Sequence, residues 1–315
     1  MLSRVATRIY WMARFLERAE NMARLVNVNS HLLLDLPSRV QVGWRPLVEI
    51  LGSETQFEQN HEGYDERAVV RFLVGDPQYP SSVIGSLASA RENARTVRDI
   101  IPREAWEQIN ELYLNARKHL PSAYGQRKRY DYLNSIILGN QQVTGLLAGT
   151  MSHDTGYAFL RIGRNLERAD MTSRIIDVRS ADLLPSADAL TPFDNIQWMS
   201  VLKSLTAYQM YRREVRLQVR RPDVINFLLR NPRFPRSIYH CISTVAGCLQ
   251  DLPHNESPLR HASHLQRLMS DVTPETLDQP GLHRLIDEIQ QNVADLDRLL
   301  SEAYFYVTAA GQSSA

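Results

Sequence analysis

Cysteine is nearly absent from this chain: Cys241 and Cys248 are the only two in 315 residues. Seven positions apart on an expected helix, they read as buried thiols rather than a disulfide framework. Net charge is nearly absent too. Lys+Arg 36 stand against Asp+Glu 35, a formal charge of +1, which argues against a nucleic-acid or anionic-membrane partner. The basic runs Gln126-Arg127-Lys128-Arg129 and Tyr211-Arg212-Arg213 are short and read as solvated helix ends. No segment approaches the roughly 18 apolar residues of a membrane span, and Arg4, Arg8 and Arg14 interrupt any signal-peptide core. A cytoplasmic location is therefore expected. A Gly-rich phosphate loop of the GxxxxGK[ST] type is missing, so this chain is expected to bind no cofactor itself.

Strand-like alternation is also lacking, while helical periodicity runs throughout, so the expected class is all-α. Helices are expected over 2–34, 44–51, 64–75, 81–99, 103–119 and 129–149, then 151–182, 194–220, 222–230, 234–250, 258–270 and 281–308. Leu36-Pro37-Ser38 and Leu184-Pro185-Ser186 should stop the two long helices, because proline lacks the ladder donor and restricts the residue before it. Ser81 or Ser82, and Ser237, should cap the helices after the two Pro-containing turns. Residues 52–63 show no clear pattern, and 309–315 reads as a flexible tail.

The two halves echo each other. Leu16-Glu17-Arg18-Ala19-Glu20 returns as Leu166-Glu167-Arg168-Ala169-Asp170 at an offset of 150, with Arg14 matching Arg164 and Arg24 matching Arg174. Farther along, Asp76-Pro77-Gln78-Tyr79-Pro80-Ser81-Ser82 reads against Asn231-Pro232-Arg233-Phe234-Pro235-Arg236-Ser237 at 155, and Trp44 against Trp198 at 154. Collinear blocks with a slowly drifting offset are what a duplication with small loop insertions leaves. The period is too long for a solenoid unit. The expectation is one helical-bundle domain over 1–315, built from two pseudo-symmetric repeats, 1–149 and 150–308.

At 100° per residue, Trp11, Phe15, Met22 and Val26 share an apolar arc of the first helix. Glu20, Arg24, Glu17, Asn21 and Arg14 share a polar one, with Arg18 on its margin. Asp170, Arg174, Glu167, Arg164 and Arg168 take the same angles in the second copy. A solvated face laced by such pairs would give each only about 0.2–0.5 kcal/mol. Against that reading, Leu160 and Met171 fall inside the second polar arc. The functional reading is a shared anion-binding cleft. Arg14, Arg18, Arg164 and Arg168 would hold the anion through bidentate donors. Glu17 and Glu167 would orient them, one serving as a general base if burial raised its pKa.

Residue by residue, Arg4-Val5-Ala6, Tyr10 through Asn21, and Phe159 through Arg174 resemble the alpha-E family, a bacterial all-helical family with a glutamate motif. The resemblance covers essentially the whole chain. It implies a partner: an ATP-grasp carboxylate–amine ligase that would hold ATP and Mg, with a transglutaminase-like protein as a further associate. The implied role is in peptide synthesis or modification, with an anionic peptide or amino acid as substrate; the alternative is a noncatalytic assembly module for the ligase. In the family a basic-acidic pair precedes the second motif; here it is His153-Asp154, which adds Asp154 to the site, with Arg24, Asp170 and Arg174.

Other signals are weak. His261 and His264 have the i, i+3 spacing of two metal ligands but no third ligand beside them, so no metal is expected. Ser152-His153-Asp154 is a triad only in text, since adjacent helical residues diverge. Tyr10-Trp11 and Tyr304-Phe305-Tyr306 read as core aromatics.

Overall fold

Short polar side chains start several of the helices, Ser82 and Ser237 as expected. Asp65 accepts from the backbone N–H of Arg67 and Ala68, Ser82 from Gly85, Ser237 from His240 and Asp278 from Gly281. Each satisfies a donor that the first turn leaves without an intrahelical partner. A computed structural model describes residues 3–35, 43–181, 194–215 and 218–306. The stops at Pro37 and Pro185 and the tail 309–315 lie outside the described residues. Among those described there is no strand, and the chain is all-α.

The first seven helices are α1 (Ser3–Asp35), α2 (Arg45–Ile50), α3 (Glu54–Glu58), α4 (Glu66–Gly75), α5 (Val83–Thr96), α6 (Arg103–His119) and α7 (Gln126–Thr150). They are followed by α8 (Thr155–Ala181), α9 (Asp194–Ser204), α10 (Tyr208–Val215), α11 (Arg221–Arg230), α12 (Ile238–Gln250), α13 (Glu256–Asp271) and α14 (Gln279–Leu300). A π-helical turn, Ser301–Phe305, continues α14.

Three expectations need correction. Residues 52–63 contain α3, anchored by Phe57, which is fully buried and lies 4.5 Å from the ring of His61 and 4.7 Å from that of Tyr64. The helix expected over 194–220 breaks instead between α9 and α10. Thr206 adopts φ +55°, its N–H donates to Lys203 O at 3.0 Å, and the Ala207 N–H donates to Leu202 O at 2.7 Å. This is a Schellman closure with threonine in the left-handed position usually held by glycine. Gly52 closes α2 identically, at φ +59°. Gly52 and Thr206 stand 154 apart, as do Trp44 and Trp198. Finally, Tyr306 is 68 % exposed rather than core, while Tyr304 packs on Phe159 and Phe305 on Tyr10.

α1 packs along α8, α5, α7 and α9, and α8 in turn packs along α12, α14 and α2. With neighbours on so many sides, both arcs of α1 are covered: Met12, Met22 and Val26 are buried, and so are Glu17, Glu20 and Asn21. One hydrophobic cluster runs through both halves of the chain. The two long helices meet closely at Gly163, where an added Cβ would lie 2.4 Å from the carbonyl oxygen of Tyr10. None of the described helices is long and apolar enough to cross a membrane.

Candidate functional site

Glu17 and Arg18 lie on α1, Glu167 and Arg168 on α8, and each glutamate faces the arginine of the other helix. Arg18 grips Glu167 with two atoms, Nε to Oε1 at 2.5 Å and Nη2 to Oε2 at 2.9 Å, the bidentate form that fixes orientation as well as charge. Arg168 Nε sits 2.9 Å from Glu17 Oε2. Its N–H is directed off that line and finds no hydrogen-bond acceptor, so this contact is an ion pair without a well-aligned bond. Both glutamates are buried, at 3 % and 2 % exposure.

Residues outside the two motifs complete the cluster. Arg236, just before α12, donates Nη1 to Glu17 Oε1 at 2.5 Å and to Asn21 Oδ1 at 2.7 Å, and Nη2 to Glu20 Oε1 at 2.9 Å. Arg14 reaches Glu167 through Nε and Asp297 on α14 through Nη1, both at 2.8 Å. The Tyr10 hydroxyl donates to the same Asp297. Sequence reasoning missed Arg236, Asp297 and Tyr10. Arg236 had a usable signal, since it occupies in the second Pro-containing turn the place of Ser81 in the first, and Ser81 contacts Arg18 at 3.5 Å. Asp297, 283 residues from Arg14 in sequence, had none.

Burial alone would raise the pKa of Glu17, but Arg168 and Arg236 outweigh it and bring it down to about 2. Burial is likewise overcome at Glu167, whose pKa is lowered by Arg14 and Arg18. The raised pKa required of a general base is therefore met at neither position, because guanidinium groups occupy the carboxylates. At Arg168, desolvation works against the charge and Glu17 more than restores it, so the pKa is raised.

Arg164 behaves differently from its sequence counterpart Arg14. Its Nε has no hydrogen-bond partner, no described carboxylate lies within ion-pair distance, and desolvation together with Arg168 lowers its pKa. It lines, with Glu17, Glu20, Asn140 and Thr144, a space of about 10 Å³, room for about one water molecule. At the motif the described residues form a closed network rather than the open cleft expected from the sequence. Six guanidinium groups, of Arg14, Arg18, Arg24, Arg164, Arg168 and Arg236, face four carboxylates, of Glu17, Glu20, Glu167 and Asp297. The excess is positive.

The remaining expected site residues are spread along the helices. Arg24 pairs with Glu20 at 2.7 Å and Arg174 with Asp170 at 2.9 Å, one turn apart on α1 and α8. Asp154 accepts from the N–H groups of Gly156 and Tyr157 at 2.8 and 3.2 Å, which makes it the N-cap of α8. His153 stacks on Tyr157 and completes no triad with Asp154. Burial pushes the Cys241 thiol up to about 12 and raises that of Cys248 as well, so neither is a nucleophile at neutral pH. His261 contacts the carbonyl of Asn292. His283 bridges Asp177 at 2.7 Å and Asp287 at 3.5 Å, a largely exposed group with ligand-type atoms and no signal in the sequence.

The fold class and a paired Glu-Arg centre define an all-helical protein organised around a buried ion-pair network. The chain belongs to the Alpha-E family, described as a predicted alpha-helical domain with a conserved ER motif, whose match extends over residues 1–305. The chain is 23 % identical, over 97 % of its own length, to uncharacterised proteins of Mycobacterium bovis and of one Mycobacterium tuberculosis strain, and 22 % identical to that of another strain. It spans 36 % of the length of these relatives. No solved structure matches it.

Proposed function

We propose that this chain is the helical component of a carboxylate–amine ligase system, binding an anionic peptide or amino-acid substrate while an ATP-grasp partner holds ATP and Mg. The observation that carries the reading is the positive excess of the Glu-Arg centre, six guanidinium groups against four carboxylates, together with the open space of about 430 Å³ beside Arg24 at its edge, where an anion offsets that excess without entering the closed network. Relatives in which the matched segment is 36 % of a longer polypeptide are in keeping with a unit that works beside other domains. Glu17 and Glu167 orient arginines here rather than move protons, since both are held in the charged form. The chain's part is accordingly binding and presentation. A transglutaminase-like protein belongs to the same proposed system.

The same proposal takes the chain as one domain made by duplication, with repeats 1–149 and 150–308. In support, the closures at Gly52 and Thr206 and the serine caps at Ser82 and Ser237 recur at separations close to those of the sequence echoes.

The second reading, a noncatalytic assembly module, is favoured by the small enclosed space at the motif. Mass spectrometry of products formed from candidate peptides and ATP by the partner ligase, with and without this chain, separates the two. A product that requires both proteins supports the first reading. Ligase binding with no effect on product supports the second.

A further inference from the structure

The polar arc of α1 does not end at the closed network. One turn beyond Glu20 it reaches a cavity of about 430 Å³ between α1, α7 and α9, within the ~300–1,000 Å³ range of small-ligand pockets. Two cations border it, Arg24 and Lys203, and no described carboxylate lines it. Arg24 gives Nε and Nη2 to Glu20, which leaves Nη1 without a described partner. Glu20 is itself shared with Arg236, so Arg24 is only partly compensated. Lys203 is exposed at the rim and makes no described ion pair. The amides of Asn27 and Asn134 lie on the polar side, while Val28, Ile137, Ile196 and Met199 form an apolar wall. Ser200, which also lines the cavity, is 3 % exposed and its hydroxyl has no hydrogen-bond partner.

We propose that this cavity binds the C-terminal carboxylate end of a peptide whose last residue is apolar. Arg24 Nη1 and Lys203 meet the carboxylate, the asparagine amides meet the adjoining peptide group, and the last side chain lies on the wall of Ile137, Ile196 and Met199. One lysine without a described ion pair and one partly compensated arginine match a single negative charge, which fits a carboxylate better than a doubly charged phosphate. The apolar wall asks for a hydrocarbon body that inorganic anions lack. This deepens the proposed function and rests on it only for the identity of the substrate.

Isothermal titration of the full chain with N-acetyl-L-leucine, N-acetyl-L-leucinamide and inorganic phosphate tests the site without any ligase. The expected result is that the carboxylate binds at least ~10-fold more tightly than the amide, since charge-assisted bonds are about twice as strong as neutral ones. Lys203→Gln should weaken the carboxylate several-fold and leave the amide and the melting temperature unchanged. Met199→Trp, which fills the wall, should abolish both. Equal affinity for carboxylate and amide, no binding of either, tighter binding of phosphate, or an unaffected Lys203→Gln variant would each overturn the assignment. Because no ligase is present, such a failure leaves the ligase partnership standing, and a product that forms without this chain leaves the pocket standing.

Discussion

Replacing Glu17 by glutamine removes one negative charge from a buried site and leaves its shape. In the native structure Glu17 faces Arg168 at 2.9 Å and Arg236 at 2.5 Å while 3 % exposed. Arg236 retains Glu20 and Asn21, but Arg168 has no other described carboxylate within ion-pair distance. Stranding a buried charge in this way costs about 3–5 kcal/mol. At about 2.1 cal/mol/K of unfolding entropy per residue, a chain of 315 residues shifts by roughly 1.5 °C per kcal/mol, so the melting temperature should fall by about 5–8 °C. Scanning calorimetry of Glu17→Gln, Arg168→Gln and the double variant checks both size and cause. The double variant should recover part of the loss, with a coupling of about 1–3 kcal/mol. A fall under about 1 kcal/mol for Glu17→Gln, or strict additivity in the cycle, would refute the reciprocal pairing as a stabilising device.

Further predictions concern the surroundings of that pair. Arg14→Met strands part of the charge of Glu167 and Asp297 and should cost about 3–5 kcal/mol, whereas Arg164→Met removes a desolvated cation with no described carboxylate and should be neutral or stabilising in urea titration. Gly163→Ala places a Cβ 2.4 Å from a backbone oxygen, a clash no rotamer relieves, and should cost about 1–3 kcal/mol, less the ~1 kcal/mol that alanine contributes to a helix. Asp154→Ala deletes an N-cap and should cost about 1 kcal/mol, while product formation with the proposed ligase partner stays unchanged. The folded pKa of Glu17 lies below its ordinary value of 4.5, at about 2; its stabilisation is therefore complete above about pH 4.5 and lost as pH falls through about 2. Chemical denaturation at a series of pH values should show this acid slope, reduced in Glu17→Gln.

The fold class was legible because periodicity and capping residues are local signals. So was the placement of Glu17 and Arg18 against their counterparts, since angular position on a helix follows from spacing alone. What periodicity could not convey is the number of neighbours. A polar arc reads as solvated or cleft-lining until α5, α7, α9 and α12 are known to close over α1 and α8. Arg236 and Asp297 come from segments more than 200 residues away from their α1 partners, so only the tertiary fold brings them in. Thr206 hid a helix stop because a β-branched residue in the left-handed region runs against local preference. The Arg24 pocket was missed because most of its lining comes from α7 and α9, whose side chains carry no motif.

In the proposed arrangement the Glu-Arg pairs hold the helices together and the substrate binds beside them. Product formation with the proposed ligase partner, measured with the folded Glu17→Gln/Arg168→Gln variant, tests it most directly. Product is expected at close to the native rate, at a temperature where calorimetry shows the variant folded, with a clear loss for Lys203→Gln under the same conditions. A folded double variant that forms no product, beside a fully active Lys203→Gln, would contradict it.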